Sequence, residues 1–173
     1  MLNAVLFYRI SRWCYLHHIP MIPQLVTLFI FLVYNSKIPY KAKIGKGTFF
    51  GYGGMGVVVH SDCSIGDDCI ICQQVTIGGG NSRYPGVPTI GNHVYMAKGS
   101  VIIGGITIGD HVTIGANAVV NKHVPDYAVV AGVPARILRI EDEKFESLKT
   151  FVDSFKDLSE FAKYINEIVK IIN

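Results

Sequence analysis

Six histidines and four cysteines hold most of the reactive chemistry this chain can offer. A neutral imidazole takes a proton from a hydroxyl near pH 7, and a thiolate attacks carbonyls or holds metals. The histidines stand at 17, 18, 60, 93, 111 and 123, and the cysteines at 14, 63, 69 and 72. In the stretch FGYGGMGVVVHSD, residues 50–62, a glycine cluster and three valines lead directly into His60. The C-x5-C-x2-C spacing of Cys63, Cys69 and Cys72 is loosely that of a metal cluster.

A repeat supplies the elements that would position these groups. Aliphatic residues recur every six positions at Ile38, Ile44 and Phe50, then at Val59, Ile65, Ile71 and Ile77, then at Ile90, Met96, Ile102, Ile108, Ile114 and Val120. Four residues after most of them comes a small or β-branched residue, as at Ala42, Thr48, Cys63, Cys69, Ser100 and Ala118. Glycine often follows the aliphatic residue directly, as in Ile44-Gly45 and Ile108-Gly109. A period of six fits neither a helix nor an alternating strand. It fits short strands joined by tight corners and stacked as a parallel β-helix, with three six-residue sides to a coil. The thirteen marked positions make roughly four to five coils.

This frame sorts the reactive residues. Cys63 and Cys69 take the small inward position, so core packing is expected rather than metal binding. Cys72 stands where other coils carry a corner glycine. His93 and His111 fall at an outward corner position, and His123 leads into the Val-Pro that closes the repeat. His60 alone follows an inward aliphatic residue directly, beside a break in the period. The step from Phe50 to Val59 is nine and that from Ile77 to Ile90 is thirteen, so three extra residues enter within 51–58 and seven within 78–89. Loops on a rigid scaffold are where binding groups gather. The second, GGGNSRYPGVP, lacks the pattern of a phosphate-binding P-loop.

Outside the repeat, residues 1–37 read as two short helices split around Pro20 and Pro23, and residues 141–173 as an amphipathic helix with Phe145, Leu148, Phe151 and Phe155 on one face. The β-helix itself is assigned to 38–140, giving a mainly β fold with helical appendages that cap the stack or make oligomer contacts. The apolar run 21–34 is too short to span a bilayer and is expected to be a packed or membrane-touching helix. No cleavable signal precedes it, so a cytoplasmic protein is expected, with peripheral contact at the inner membrane face. The composition, 50% hydrophobic and 17% charged, excludes a disordered chain, and a net charge of +3 spread along the sequence gives no nucleic-acid footprint.

Together the repeat, the segment QQVTIGGG at 73–80 and the segment VVAGVPARILR at 129–139 resemble the hexapeptide-repeat acyltransferases, most closely their serine acetyltransferase branch, over about residues 38–140. The resemblance implies a left-handed parallel β-helix, a homotrimer, and acetyl-CoA as donor in the groove between subunits, with no metal. Matched motif by motif, it places cofactor contacts at Gly78 and Gly79, Ala97 and Lys98, Ala116, Ala131, Gly132 and Arg136. Glycine admits close approach of a pantetheine amide, and Arg or Lys meets phosphate through charge-assisted hydrogen bonds.

Where serine acetyltransferases carry histidines in D-H-A-T-G and R-H-P-K-I, this chain reads GYGGMG and RYPGVPTI. The stretch GGMGVVVH, residues 53–60, is similar to one in cell-surface polysaccharide O-acetyltransferases. His60 is therefore expected to be the general base, with Tyr52, Asn81, Arg83 and Tyr84 recognising the acceptor. The expected reaction is direct acetyl transfer to a hydroxyl of a glycan or its precursor. Serine O-acetylation is the alternative, and a non-catalytic assembly role the third. The zinc-dependent γ-type carbonic anhydrases share the β-helix, but their H-x4-H pair has no counterpart here.

Overall fold

The computed structural model of the protein describes residues 3–80, 82 and 85–141. Two helices, α1 (Ala4–Leu16) and α2 (Ile22–Tyr34), precede four coils of short strands. The first coil is β1 (Lys43–Ile44), β2 (Phe49–Phe50) and β3 (Val58–Val59); the second is β4 (Ser64–Ile65), β5 (Ile70–Ile71) and β6 (Thr76–Gly78). The third is β7 (Thr89–Ile90), β8 (Tyr95–Met96) and β9 (Val101–Ile103), and the fourth is β10 (Thr107–Ile108), β11 (Thr113–Ile114) and β12 (Val119–Val120). A hairpin of β13 (Ala128–Gly132) and β14 (Ala135–Ile140) follows.

Corresponding strands pair in parallel across coils and make three faces. Face one is β1-β4-β7-β10, face two is β2-β5-β8-β11-β13-β14, and face three is β3-β6-β9-β12. The register is strict: Ile44, Ile65, Ile90 and Ile108 stack in one column, Phe50, Ile71, Met96, Ile114 and Val130 in a second, and Val59, Ile77, Ile102 and Val120 in a third. Every one of the thirteen aliphatic positions read from the period is buried, and so are the small positions, Cys63 and Cys69 included. Cys72 is buried too, its thiol donating to the Tyr95 hydroxyl at 3.5 Å.

The turn from face one to face two explains the Ile-Gly pairs. A side-chain oxygen on each coil accepts the backbone N–H of the coil before it: Asp67 from Lys46, Asn92 from Asp67, Asp110 from Asn92, and Asp126 from Asp110, at 2.6–2.9 Å. A β-carbon at Gly45, Gly91 or Gly109 would stand 2.2–2.3 Å from one of these oxygens, so only glycine fits beneath the ladder. Asp68, His93, His111 and Tyr127 occupy the following position with φ of 53–59°. His93 and His111 are thus outward corner residues; their rings stack at 4.7 Å, and Tyr127 continues the stack.

Helix α1 caps the first coil. The fully buried Tyr8 donates its hydroxyl to the Ala42 carbonyl at 2.6 Å and accepts from the Ile44 N–H at 3.1 Å, standing in for a further strand. The Arg9 guanidinium donates to the carbonyls of Ile44 and Gly45, and that of Arg12 to Tyr40, Lys41 and Ala42. These contacts satisfy backbone groups that an open sheet edge would expose. Helices α1 and α2 pack antiparallel through Phe7 on Phe29 at 4.9 Å and through the Ser11 hydroxyl, which donates to Pro23. The break between them falls at residues 17–21, whereas Pro23 lies inside the first turn of α2, where its missing N–H costs nothing. Among the described residues no helix is long and apolar enough to cross a membrane. The helix expected over 141–173 lies outside the described residues.

Candidate active site

The two breaks in the period sit at opposite edges of face three. At its leading edge, before β3, a tight 3-10 turn spans Gly51–Gly54, with Tyr52, Gly53 and Gly54 at φ of 51°, 73° and 93°. A β-carbon at Gly54 would meet Ala4 at 3.1 Å and Phe50 at 3.3 Å, so this turn presses against α1. Gly56 also has positive φ. Gly53, Gly54 and Gly56 are therefore accounted for by backbone conformation and Gly51 by its close approach to Cys72, and the exposed Tyr52 side chain stands at this edge.

At the trailing edge, after β3, His60 begins a column that continues through Gly78, Ile103 and Asn121 in successive coils. Its N–H donates to the Ile77 carbonyl at 2.8 Å, which locks it beneath Gly78. The imidazole is 39% exposed, so it is anchored yet reachable. A β-carbon built on Gly79 would lie 3.4 Å from His60 Cδ2, 3.5 Å from Nε2 and 3.6 Å from Val87 Cγ1. Loop 78–89 is tied at its base by the Gly80 N–H, which donates to the Gly86 carbonyl at 2.8 Å, and Gly86 at φ 103° rests on Gly105. His60 and Val87 thus both stand against Gly79.

The hydrogen bonding of His60 fixes its chemistry. Nδ1 accepts the Asp62 backbone N–H at 3.2 Å, so the neutral ring carries its proton on Nε2, facing Gly79. The Asp62 carboxylate stands 3.9 Å from Nδ1. In the observed pose Nε2 is a donor, suited to a developing oxyanion. A short approach of the carboxylate to Nδ1 exchanges the tautomer and turns Nε2 into an acceptor, suited to take a hydroxyl proton. Asp62 was not among the residues singled out in the sequence, although its place two after His60 is the signal that marks it.

Of the remaining cofactor positions, Ala97, Lys98, Ala116, Ala131 and Gly132 gather at the leading edge. Ala97 and Lys98, Gly115 and Ala116, and Ala131 and Gly132 follow Met96, Ile114 and Val130 and so stack in register on three successive coils. Ala97 is buried, Lys98 and Ala116 are exposed, and Gly132 takes φ 97° before the cis Val133-Pro134 bond. Arg136 is exposed, its guanidinium donating to the carbonyls of Pro134 and Ala135. It also lines a cavity of about 260 Å³ with Asn121, Lys122, His123 and Ile137, a mostly apolar concavity that the motifs did not reveal. Within one subunit, then, the positions expected to hold the cofactor divide between two corners separated by face three. Asn81, Arg83 and Tyr84 lie outside the described residues. Among the described residues no group of three or more His, Cys, Asp or Glu is placed to hold a metal ion.

Comparison with known proteins joins these observations. The bacterial transferase hexapeptide family (six repeats) matches residues 88–122. The serine acetyltransferase of Synechococcus elongatus is 37% identical over 137 residues, covering 79% of this chain and 56% of the relative. That of Staphylococcus epidermidis is 43% identical over 132 residues, covering 76% and 59%. The structure of the serine acetyltransferase from Brucella abortus in complex with coenzyme A superposes with a TM-score of 0.74 at 30% identity, covering 80% of this chain and 56% of that one. The chain therefore spans a little over half the length of the relatives it matches.

Fold and repeat define a left-handed β-helix of the hexapeptide-transferase type. In sequence and fold the chain is similar to the hexapeptide-repeat acetyltransferases of the serine acetyltransferase branch. This corrects the expected acceptor. The sugar of a cell-surface glycan rested on the likeness of GGMGVVVH to polysaccharide enzymes, but the relatives named above are serine acetyltransferases. The glycines of that stretch report a turn packed on α1, not an acceptor.

Proposed function

We propose that this protein transfers an acetyl group from acetyl-CoA to the side-chain hydroxyl of L-serine. The observation that carries the reading is the match of 79% of the chain to a serine acetyltransferase. His60, held against Gly79 at the edge of face three, supplies a proton-transfer group of the kind this reaction needs. The serine oxygen attacks the thioester carbonyl carbon while its proton passes to Nε2 of His60. The tetrahedral oxyanion collapses, the C–S bond breaks, and the CoA thiolate takes the proton from the imidazolium. No covalent enzyme intermediate is needed. Asp62 orients the ring and steadies its charged form.

Acetyl-CoA is held by backbone contacts at Gly78, Gly79, Ala97, Ala116, Ala131 and Gly132, with Lys98 and Arg136 on its phosphates. Because these positions divide between two corners of one subunit, a homotrimer, with the trailing edge of one copy facing the leading edge of the next, is the assembly that unites them. Tyr52 then faces the acceptor from the leading edge. The supply of acetyl-CoA puts the reaction in the cytoplasm.

The test is thiol release from acetyl-CoA by the purified full chain, with and without L-serine, followed by product identification. Release that depends on serine and yields O-acetylserine is expected. Release unaffected by serine, or none at all, overturns the reading.

A further inference from the structure

The two N-terminal helices expose apolar surface on the side turned away from their shared packing. On α1 the stripe is Leu6, Ile10 and Trp13, spaced four and three apart; on α2 it is Leu25, Leu28 and Leu32, the last 72% exposed. Helix α2 contains no charged residue, and Phe29, Phe31 and Val33 extend its exposed apolar surface beyond the stripe. That is broader than the two-position seam by which one helix recognises another. Surface of this kind marks a binding face.

Charge decides what the face binds. All thirteen acidic residues lie at Asp62 or beyond, whereas the first sixty-one residues hold Arg9, Arg12, Lys37, Lys41, Lys43 and Lys46. The four lysines are exposed on the stretch from the end of α2 through the first coil, the coil that α1 caps. Docking a second copy through this face would bring two wholly basic segments together at a cost in repulsion. An anionic lipid surface attracts the same segment while it accepts the apolar stripe, and Trp and Tyr favour the headgroup level at which Trp13 and Tyr15 would sit.

We propose that the α1–α2 hairpin is an interfacial anchor that lies on an anionic phospholipid bilayer, with the apolar stripes in the acyl boundary and the lysines over the headgroups. The anchor does not depend on the acetyl-transfer reading.

Trp13 is the only tryptophan in the chain and lies on the stripe, so its emission reports contact directly. The full chain is mixed with vesicles of phosphatidylcholine, with or without phosphatidylglycerol. A blue shift with co-sedimentation is expected, at least about tenfold stronger on the anionic vesicles and weakened by salt. The Leu28→Glu, Leu32→Glu variant should lose both signals, and Lys37→Glu, Lys41→Glu should lose the anionic preference, which keeps the test decisive if the first variant misfolds. Absence of binding to either vesicle overturns the anchor. So does a Leu28→Glu, Leu32→Glu protein that binds vesicles normally but falls to a lower mass by light scattering, since a second copy would then cover the face.

Discussion

The imidazole of His60 lies over the open face of Gly79, so close that a β-carbon on Gly79 would stand 3.5 Å from Nε2. That separation is ordinary van der Waals contact, and the fold can therefore take the extra methyl while the reactive nitrogen cannot keep its approach. Gly79→Ala should leave the melting temperature nearly unchanged and lower serine-dependent acetyl transfer by about tenfold or more. Circular dichroism and steady-state kinetics on one preparation check both halves.

His60→Ala removes the proton-transfer group from a partly exposed corner. Its kcat should fall by about 10²–10⁴-fold with little loss of stability. Asp62→Asn keeps the backbone N–H but loses the carboxylate, so a smaller fall is expected. Equal activity of the wild type and the His60→Ala variant would show that the proton goes elsewhere.

Lys98→Ala combined with Arg136→Ala should act on the donor alone. Two cations lost from phosphate contacts raise the KM for acetyl-CoA by about tenfold or more while kcat stays within about twofold. A fall confined to kcat would place these residues away from the cofactor.

The ladder of side-chain oxygens along the face-one corner should be sensitive to single removals. Asp110→Ala strands the Asn92 N–H, which costs about 1–3 kcal/mol, and each kcal/mol lowers Tm by roughly 2–4 °C at this size. Tyr8→Phe strands the Ile44 N–H at the capped end, while Arg12 still donates to the Ala42 carbonyl, and should cost a similar amount. Differential scanning calorimetry measures both.

Buried thiols make the fold sensitive to alkali. Burial, with the Asp62 charge adding to it, pushes the Cys63 thiol up to about 12 from an ordinary 9, and burial lifts Cys69 to about 11. Ionisation is easier in the unfolded chain, so this stability is fully present below about pH 9 and is lost as pH rises toward about 11–12. Urea midpoints should hold steady to pH 9 and then fall. Cys63→Ala with Cys69→Ala should flatten that fall relative to the wild type.

The coils were legible because each inward residue repeats one environment, and a period of six cannot be mistaken when Ile65, Ile71 and Ile77 follow one another. The faces, the buried Cys63 and Cys69 and the outward His93 and His111 came with it. The oxygen ladder was not legible, since the seven-residue insertion hides the spacing that relates Asp67 to Asn92. Nor was the cap: Arg9 and Arg12 read as charges interrupting an apolar run, and their carbonyl partners lie some thirty residues away. At the site, His60 could be singled out by its position, and Asp62 was missed although it stands only two residues on, because its N–H reaches Nδ1 only in the corner that the chain forms there. The acceptor was misread where glycines demanded by φ looked like a signature of substrate.

Strand β14 runs antiparallel to β13 at the outer edge of face two, after four coils in which every pairing is parallel. A β-helix is a template that invites its own kind: another molecule's first coil would find matching donors and acceptors on a parallel edge and extend the stack into a fibre. By doubling back, the chain offers a strand of reversed polarity on that face, and α1 covers the opposite end with Tyr8, Arg9 and Arg12 already bonded. Growth of the stack is thereby checked at both ends, along face two by β14 and at the first coil by α1.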